Sequence, residues 1–286
     1  MKWSVPLTLV SSAHVVGIAT IVSVTGAGCA HGEHGTDGSG LTMRADASYL
    51  YGPIHGRLQT PTGGKPGTTT AGRPTLAELG IDRAHVPDVA AAVDWDHHEI
   101  YAGYRAIRVS GNSTLSEPLI SQGHHFSAGT PVHSDVTLDW ARVGYRHLIP
   151  IDLSGDGKPD FNLYPAAGLA IWNFDYRLDQ PGSDDVHRAY ILPSPQLGLG
   201  VEVPLTSRLS LVANVLASLP VGNEPRIYSG EVTAQYHLFD LGGAEFDGTL
   251  GAAFDRIDYR SDNQTVPNDI SVDLGPMLLF GLSAKF

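Results

Sequence analysis

The chain has 286 residues, with 18 lysines and arginines against 30 aspartates and glutamates, which gives a formal net charge of −12. An acidic chain without a Lys/Arg cluster lacks the basic footprint of nucleic-acid binding, so we expect no nucleic-acid partner. Apolar residues make up 42% of the chain and charged residues 17%, which argues against a disordered protein. A single cysteine excludes a disulfide framework and a multi-cysteine metal site.

Residues 1–30 have the pattern of an export signal. Lys2 precedes the stretch Trp3–Gly28, which carries no charged side chain, so a short positive region is followed by an apolar one. Two forms of processing remain open. Cys29 is lipidated after cleavage in front of it, as in a bacterial lipoprotein, or ordinary cleavage follows Ala30.

The next segment, residues 31–40 (HGEHGTDGSG), is polar and glycine-rich and predicts a flexible linker. Beyond the signal no stretch of about 20 apolar residues follows, so the sequence predicts no helical membrane span. The folded domain is therefore expected over residues 41–286.

From residue 41 onward the hydrophobic period is two, which is typical of β-strands because successive side chains point to opposite faces. The last segment shows it best, and its predicted apolar face consists of Ile270, Val272, Leu274, Pro276, Leu278, Phe280, Leu282, Ala284 and Phe286.

Ten such strands are predicted, with 8–12 possible, joined by tight turns and long loops in rough alternation. Their ranges are 41–52, 87–95, 99–110, 133–148, 161–176, 194–205, 207–219, 226–239, 247–260 and 269–286. The apolar face switches near Trp140–Val143 and Asp255–Ile257, where we expect bulges. The alternation of turns and loops is typical of an antiparallel, up-and-down transmembrane β-barrel in an all-β fold.

Alternation alone does not separate a membrane barrel, which is apolar outside, from a soluble barrel, which is apolar inside. Strands long enough to cross a bilayer, and aromatic residues near strand ends, favour the membrane barrel. The polar face carries both signs of charge, so we predict a network of ion pairs that plugs a narrow lumen. Its predicted members are Arg44, Asp46, Arg105, Arg142, Arg146, Glu202, Glu231, His237 and Asp273.

The C-terminal run from Gly275 to Phe286, with alternating apolar residues and a terminal phenylalanine, is similar to the signal read by the barrel-assembly machinery of bacterial outer membranes. Leu197–Val203 and Val143–Arg146 resemble strands of that class, and Phe126–Asp135 resembles a segment of a largely uncharacterised barrel family. The resemblance to bacterial outer-membrane β-barrel proteins implies an outer-membrane location, contact with outer-membrane lipid, and assembly through Phe286. A monomer is expected.

One local motif suggests metal chemistry. In the segment Asp152–Asp160, oxygen-bearing side chains fall at positions one, three, five and nine, with glycine at six, as in the first part of a calcium loop. The predicted ligands of a weak Ca²⁺ site are Asp152, Ser154, Asp156, Asp160 and the carbonyl of Lys158. The bidentate glutamate of a full calcium loop is absent, and a polar turn is the alternative interpretation.

Three functional hypotheses remain open. The first is a non-enzymatic barrel with a plugged lumen and a structural or loop-mediated binding role. The second is an outer-membrane enzyme. Asp94, Asp96, Asp185 and His187 resemble the paired residues of omptin proteases, and the pair in His125–Ser127 resembles that of lipid A deacylases. The third is a secreted, soluble, all-β calcium-binding protein.

Overall fold

The computed structural model describes residues 40–60, 74–121, 124–182, 185–261 and 267–286. The predicted signal peptide, with Cys29, and all of the predicted linker except Gly40 lie outside the described residues. The strands are β1 (Thr42–Gln59), β2 (Arg83–Trp95), β3 (His98–Arg105), β4 (Arg108–Thr114), β5 (Leu119–Ser121), β6 (His124–Phe126), β7 (Pro131–His147), β8 (Ile149–Ile151), β9 (Phe161–Asp179), β10 (Val186–Pro204), β11 (Leu209–Ser218), β12 (Arg226–Leu241), β13 (Ala244–Ser261) and β14 (Asn268–Lys285). Among these described residues, no helix is long and apolar enough to cross a membrane.

Ten long strands close into one antiparallel, up-and-down barrel, which confirms the predicted fold class. The order around the wall is β1, β2, β3, β7, β9, β10, β11, β12, β13 and β14, and β14 pairs with β1 to close the ring. Strand β4 continues β3 along the edge of β7, β8 adds a short pairing to β9, and β5 and β6 form a separate hairpin.

The two ends of the barrel differ. One end, the turn end, carries the start of β1, the C-terminal Phe286 and the connections β2–β3, β7–β9, β10–β11 and β12–β13. The other end, the loop end, carries the connections β1–β2, β4–β7, β9–β10, β11–β12 and β13–β14. In outer-membrane barrels the termini and short turns face the periplasm and the longer loops face outward.

An exposed apolar belt surrounds the half of the barrel nearer the turn end. Its outward side chains include Val89, Ile100, Val143, Leu169, Leu197, Leu199, Leu211, Val215, Val232, Leu250, Leu278, Phe280 and Leu282. Leu250 is 60% exposed and Leu278 is 55% exposed. A soluble protein does not expose a continuous apolar ring, whereas a membrane barrel turns such a ring towards lipid. The belt therefore marks the membrane-spanning surface.

The half of the lumen nearer the loop end is filled by an apolar core. Strands β9 and β10 have 19 residues each, well beyond the roughly 9–11 that cross a bilayer, so the wall continues past the belt. Fully buried inside this extension are Leu50, Ile54, Leu76, Ile81, Val86, Ile107, Phe126, Leu138, Trp172, Phe174, Tyr176, Ile257, Val272 and Leu274. Sequence patterning predicts a polar lumen throughout, and the structure corrects this for the loop-end half.

In β14 the correction follows from a bulge. Between Leu274, which pairs with Asp255, and Met277, which pairs with Ala253, the register of β14 against β13 shifts. Ile270, Val272 and Leu274 consequently face the core, while Leu278, Phe280 and Leu282 face outward. The apolar residues predicted to share one face of this strand therefore lie on two faces.

Gly275 occupies the bulge with φ of +118°, a backbone conformation that disfavours a side chain. A Cβ there would lie 2.9 Å from the Ala253 carbonyl oxygen, so glycine is needed on steric grounds as well.

The predicted bulge near Asp255–Ile257 corresponds to this register shift, but β7 pairs with β9 without a shift from Trp140 to Val143. That prediction was wrong. The apparent change of face arises because Asp139, on the outward side of β7, is fully buried and accepts hydrogen bonds from the Ile107 amide and from Arg108.

Candidate functional site

The half of the lumen nearer the turn end encloses a polar chamber of about 490 Å³. The chamber reaches from the turn-end residues Asp96, His97 and Lys285 to Arg105 in the middle of the barrel. Its charged lining consists of Arg44, Asp46, Asp88, Asp94, Asp96, Glu99, Arg105, Arg142, Arg146, Glu202, Glu231, Asp247 and Lys285. Alternation along the strands places these side chains inward, because the residues between them belong to the apolar belt.

Near the turn end, Glu99 joins two predicted arginines into one network. Arg44 Nη2 lies 2.9 Å from Glu99 Oε2, and Arg146 Nη1 lies 3.0 Å from Glu99 Oε1. Arg44 also contacts Asp46 through Nε at 3.1 Å, and the Arg146 guanidinium lies 4.5 Å from the centroid of the Tyr101 ring. Sequence analysis did not include Glu99, although its inward position in β3 follows from the strand period.

A second cluster, centred on the buried Arg105, closes the chamber at the middle of the barrel. Arg105, which is 1% exposed, donates from Nη1 to both carboxylate oxygens of Asp255 at 2.8 Å and from Nε to Asp88 Oδ2 at 2.5 Å. Arg142 Nη2 lies 3.0 Å from Asp88 Oδ1, and Glu231 lies 3.8 Å from Arg105. Neither buried aspartate belongs to the predicted network. Asp255 stands in the segment where the apolar pattern changes face, so the pattern does not place its side chain inward.

The three other predicted lumen residues, Glu202, His237 and Asp273, lie in different places. Glu202 accepts a hydrogen bond from Tyr164 Oη at 2.5 Å inside the chamber. His237 lies near the turn end, where its Nδ1 is 3.2 Å from Asp247 Oδ1.

Asp273 is not a lumen residue. It lies on the outer surface, on the loop-end side of the bulge in β14. Its side chain is 38% exposed, and its carboxylate lies 3.5 Å from Arg256. The correction has the same cause as the split apolar face, since the bulge at Gly275 reverses the alternation on either side of it.

The two sets of carboxylates and histidines expected of an omptin-like site lie at opposite ends of the barrel. Asp94 and Asp96 lie at the turn end, whereas Asp185 and His187 lie at the start of β10 at the loop end. His187 instead lies on the outer surface, with Nε2 3.0 Å from Asp175 Oδ2. The structure therefore does not bring these four residues together.

The predicted His125–Ser127 pair lies in and just after the β5–β6 hairpin, with both side chains exposed. Within the described ranges, no carboxylate contacts His125 to orient it as a general base. The same part of the chain contains no group of three or more His, Cys, Asp or Glu side chains suited to a metal ion.

The Asp152–Asp160 segment forms a turn-end loop held by its own backbone. Asp152 accepts hydrogen bonds from the Gly155 amide at 2.6 Å and from the Gly157 amide at 2.9 Å. Asp160 Oδ2 accepts from the amides of Leu153 and Ser154, and Asp156 accepts from the amide of Lys158. Carboxylates that would ligate calcium are thus engaged with amide donors, and the calcium site stays a prediction.

Because backbone amides of Gly155 and Gly157 stabilise its ionised form, the pKa of Asp152 is lowered from its usual value of 3.8. A lowered pKa in the folded state means that the contribution to loop stability is present above the unfolded value and is lost as the pH falls through the folded one. We therefore expect Asp152→Ala to open the loop at neutral pH and to speed its cleavage by subtilisin several-fold, with Lys158→Ala as the control.

The same digestion with and without Ca²⁺ tests the metal hypothesis. Equal cleavage rates of the unchanged protein in calcium and in chelator are expected if the turn is held by amide hydrogen bonds alone. Protection by calcium that disappears in Asp152→Ala would establish the predicted site.

Comparisons with known proteins support the architecture alone. No protein-family model matches this chain, and no curated protein matches it. The outer-membrane protease OmpT of Escherichia coli matches with a TM-score of 0.50 and 12% identity, covering 86% of this chain and 97% of its own. Ail of Yersinia pestis matches with a TM-score of 0.35 and 9% identity, over 85% and 99%. The neisserial surface protein NspA matches with a TM-score of 0.31 and 12% identity, over 86% and 97%.

At 12% identity the likeness to OmpT shows a shared fold and nothing of its chemistry. The closed ten-stranded wall, the exposed apolar belt and this likeness agree with one another. They are consistent with the predicted outer-membrane location. The chain thus has the fold of a bacterial outer-membrane β-barrel.

Proposed function

We propose that this protein is a monomeric, non-conducting outer-membrane barrel whose role is structural or carried by its outer loops. The proposal rests on two barriers that lie across the lumen. The buried Arg105 cluster closes the polar chamber, and the apolar core fills the remaining half. A solute that entered the chamber from the turn end would meet both.

The apolar core also supports a role for the loop end. Beyond the belt, β4 and β7 remain paired, from Arg108 opposite Thr137 to Thr114 opposite Pro131. The hydrogen-bonded wall therefore continues to the loop end. The β5–β6 hairpin at the loop end buries Leu119 and Phe126 against the core and exposes His125 on its other side. Loops fixed by a packed core are suited to present a binding surface. Their conformational entropy is already lost on folding, so binding a partner costs less.

The exposed Phe286 fits the proposed assembly role. Its backbone amide donates to the Met43 carbonyl oxygen at 2.8 Å, and the Met43 amide donates back at 3.1 Å, so the last residue completes the β1–β14 seam. Its side chain is 63% exposed, and we propose that the barrel-assembly machinery contacts it there.

Ion conductance in planar lipid bilayers tests the closed lumen. We expect no stepwise conductance from the folded protein, and none from Arg105→Ala, because the apolar core still blocks the barrel after the ionic seal is removed. A heat-modifiable band on an SDS gel shows that each sample is folded. Stable channels from the unchanged protein would refute the proposal, and channels from Arg105→Ala alone would assign the block to the ion cluster.

A further inference from the structure

A cluster of hydrogen-bond donors lies on the outer surface, at the edge of the apolar belt that is nearer the loop end. It consists of Arg83 and His85 on β2 and of Tyr49 and Tyr51 on β1, and we call it the rim cluster. Tyr51 pairs with His85 across the strands. From the cluster towards the turn end, the outward residues of β2 become apolar, beginning with Pro87 and Val89.

The contacts within the rim cluster leave donors, rather than acceptors, facing outward. Arg83 Nη1 donates to Tyr51 Oη at 2.8 Å, and the guanidinium lies 5.6 Å from the centroid of the same ring. The Tyr51 hydroxyl hydrogen and the remaining guanidinium N–H groups stay available for a ligand.

His85 adds another donor in one of its two neutral tautomers. Its Nδ1 lies 2.5 Å from Tyr49 Oη, and when the phenol donates to Nδ1 the ring hydrogen is on Nε2. Guanidinium, imidazole and phenol donors on one small surface fit an anion with several oxygen acceptors.

The cation of the cluster differs from four other arginines of the outer surface in one respect. On the outer surface beyond the belt, Arg57 pairs with Asp269, Arg108 with Asp139, Arg177 with Asp175, and Arg256 with Asp258. In the described part of the chain, no carboxylate pairs with Arg83. A neutral phenol therefore fixes the orientation of Arg83 and leaves its charge uncompensated.

We propose that the rim cluster binds the phosphate of a lipid headgroup in the outer leaflet. A planar guanidinium can donate two parallel hydrogen bonds to two oxygens of a tetrahedral phosphate. A lipid is favoured over free phosphate because the cluster joins the belt directly. Leu278, which pairs with Tyr51, is 55% exposed, and the Phe280 ring lies 5.3 Å from that of Tyr49, so acyl chains would contact these side chains below a bound headgroup.

Native mass spectrometry of the full barrel in a neutral detergent measures this binding. The probe is a short-chain phosphatidic acid, compared with a diacylglycerol of the same chains and with inorganic phosphate. We expect the phosphatidic acid to bind at least about tenfold more tightly than the diacylglycerol, because a charge-assisted hydrogen bond contributes about one such factor. Arg83→Gln is expected to lose about that factor.

Arg226→Gln is the matched control. Arg226 is exposed on the same outer surface, and among the described residues no aromatic ring packs against its guanidinium. We expect this variant to bind the phosphatidic acid with an affinity changed by less than about twofold. Arg83→Lys keeps the charge without the planar fork and should fall between the two. A heat-modifiable band confirms that each variant is folded. Equal losses in Arg83→Gln and Arg226→Gln would refute a specific site, and competition by inorganic phosphate at matched concentration would refute the lipid as the ligand.

Discussion

Replacing Arg105 by alanine is expected to lower the free energy of unfolding by about 3–5 kcal/mol, the typical effect of removing one partner from a buried ion pair. Arg105 is the only cation that contacts Asp255 in the described residues, and both side chains are at most 1% exposed. The variant leaves Asp255 buried without a counter-charge, and Asp88 keeps only Arg142. Desolvation of the remaining carboxylates, rather than the lost attraction, produces most of the effect.

Urea unfolding of the barrel in lipid vesicles, followed by loss of the heat-modifiable band, measures this change. The matched control is Arg256→Ala, because Arg256 also pairs with an aspartate, at 2.6 Å, but lies 46% exposed. Exposed pairs contribute at most about 1 kcal/mol. Similar effects in the two variants would contradict the assignment of a buried seal to Arg105.

Replacing Trp172 by alanine is expected to lower the free energy of unfolding by about 3–5 kcal/mol, through lost burial and the cavity that remains. Trp172 is fully buried in the loop-end core, with its ring 5.3 Å from Phe174 and 5.7 Å from Tyr259. If the lumen were polar at this height, as expected from sequence, the Trp172 side chain would contribute little to the free energy of unfolding.

Trp172→Phe provides a sharper comparison. Among the described residues, no acceptor contacts the buried indole nitrogen Nε1, so phenylalanine removes an unsatisfied donor while it retains most of the apolar contacts. We expect the phenylalanine variant to lose well under half of what the alanine variant loses in the same urea titration. Equal losses would show that the indole nitrogen has a partner or that the site is not packed.

The predicted and observed strands agree because the period-two pattern is local. Each of the ten predicted segments corresponds to one position in the barrel wall, including β11 (Leu209–Ser218), predicted over 207–219. The strands that extend furthest past their predicted bounds are β1 and β10, which run to Gln59 and begin at Val186. Their extensions lie in the loop-end half, where apolar residues face inward and the outward pattern of the belt no longer applies.

The arginines of the chamber were predictable, but their buried partners were not. Arg105 and Arg142 stand at alternating polar positions in strands with an apolar opposite face, which is sufficient to place them inward. Asp255 directly follows the register shift of β13 against β14, and its pairing with Arg105 joins residues 150 positions apart in sequence. Such a contact depends on closure of the ring, which no local pattern encodes.

By itself the sequence determined an all-β chain of about ten strands, each with one apolar and one polar face, because side-chain alternation is a property of each strand. Only the tertiary structure decided which direction was inside along the whole length of each strand. The bulge at Gly275 exchanges the two faces of β14, moves Asp273 to the outer surface and turns Ile270, Val272 and Leu274 into core residues. A one-residue shift in register reverses every side chain beyond it, so the contents of a barrel follow from its bulges as well as from its pattern.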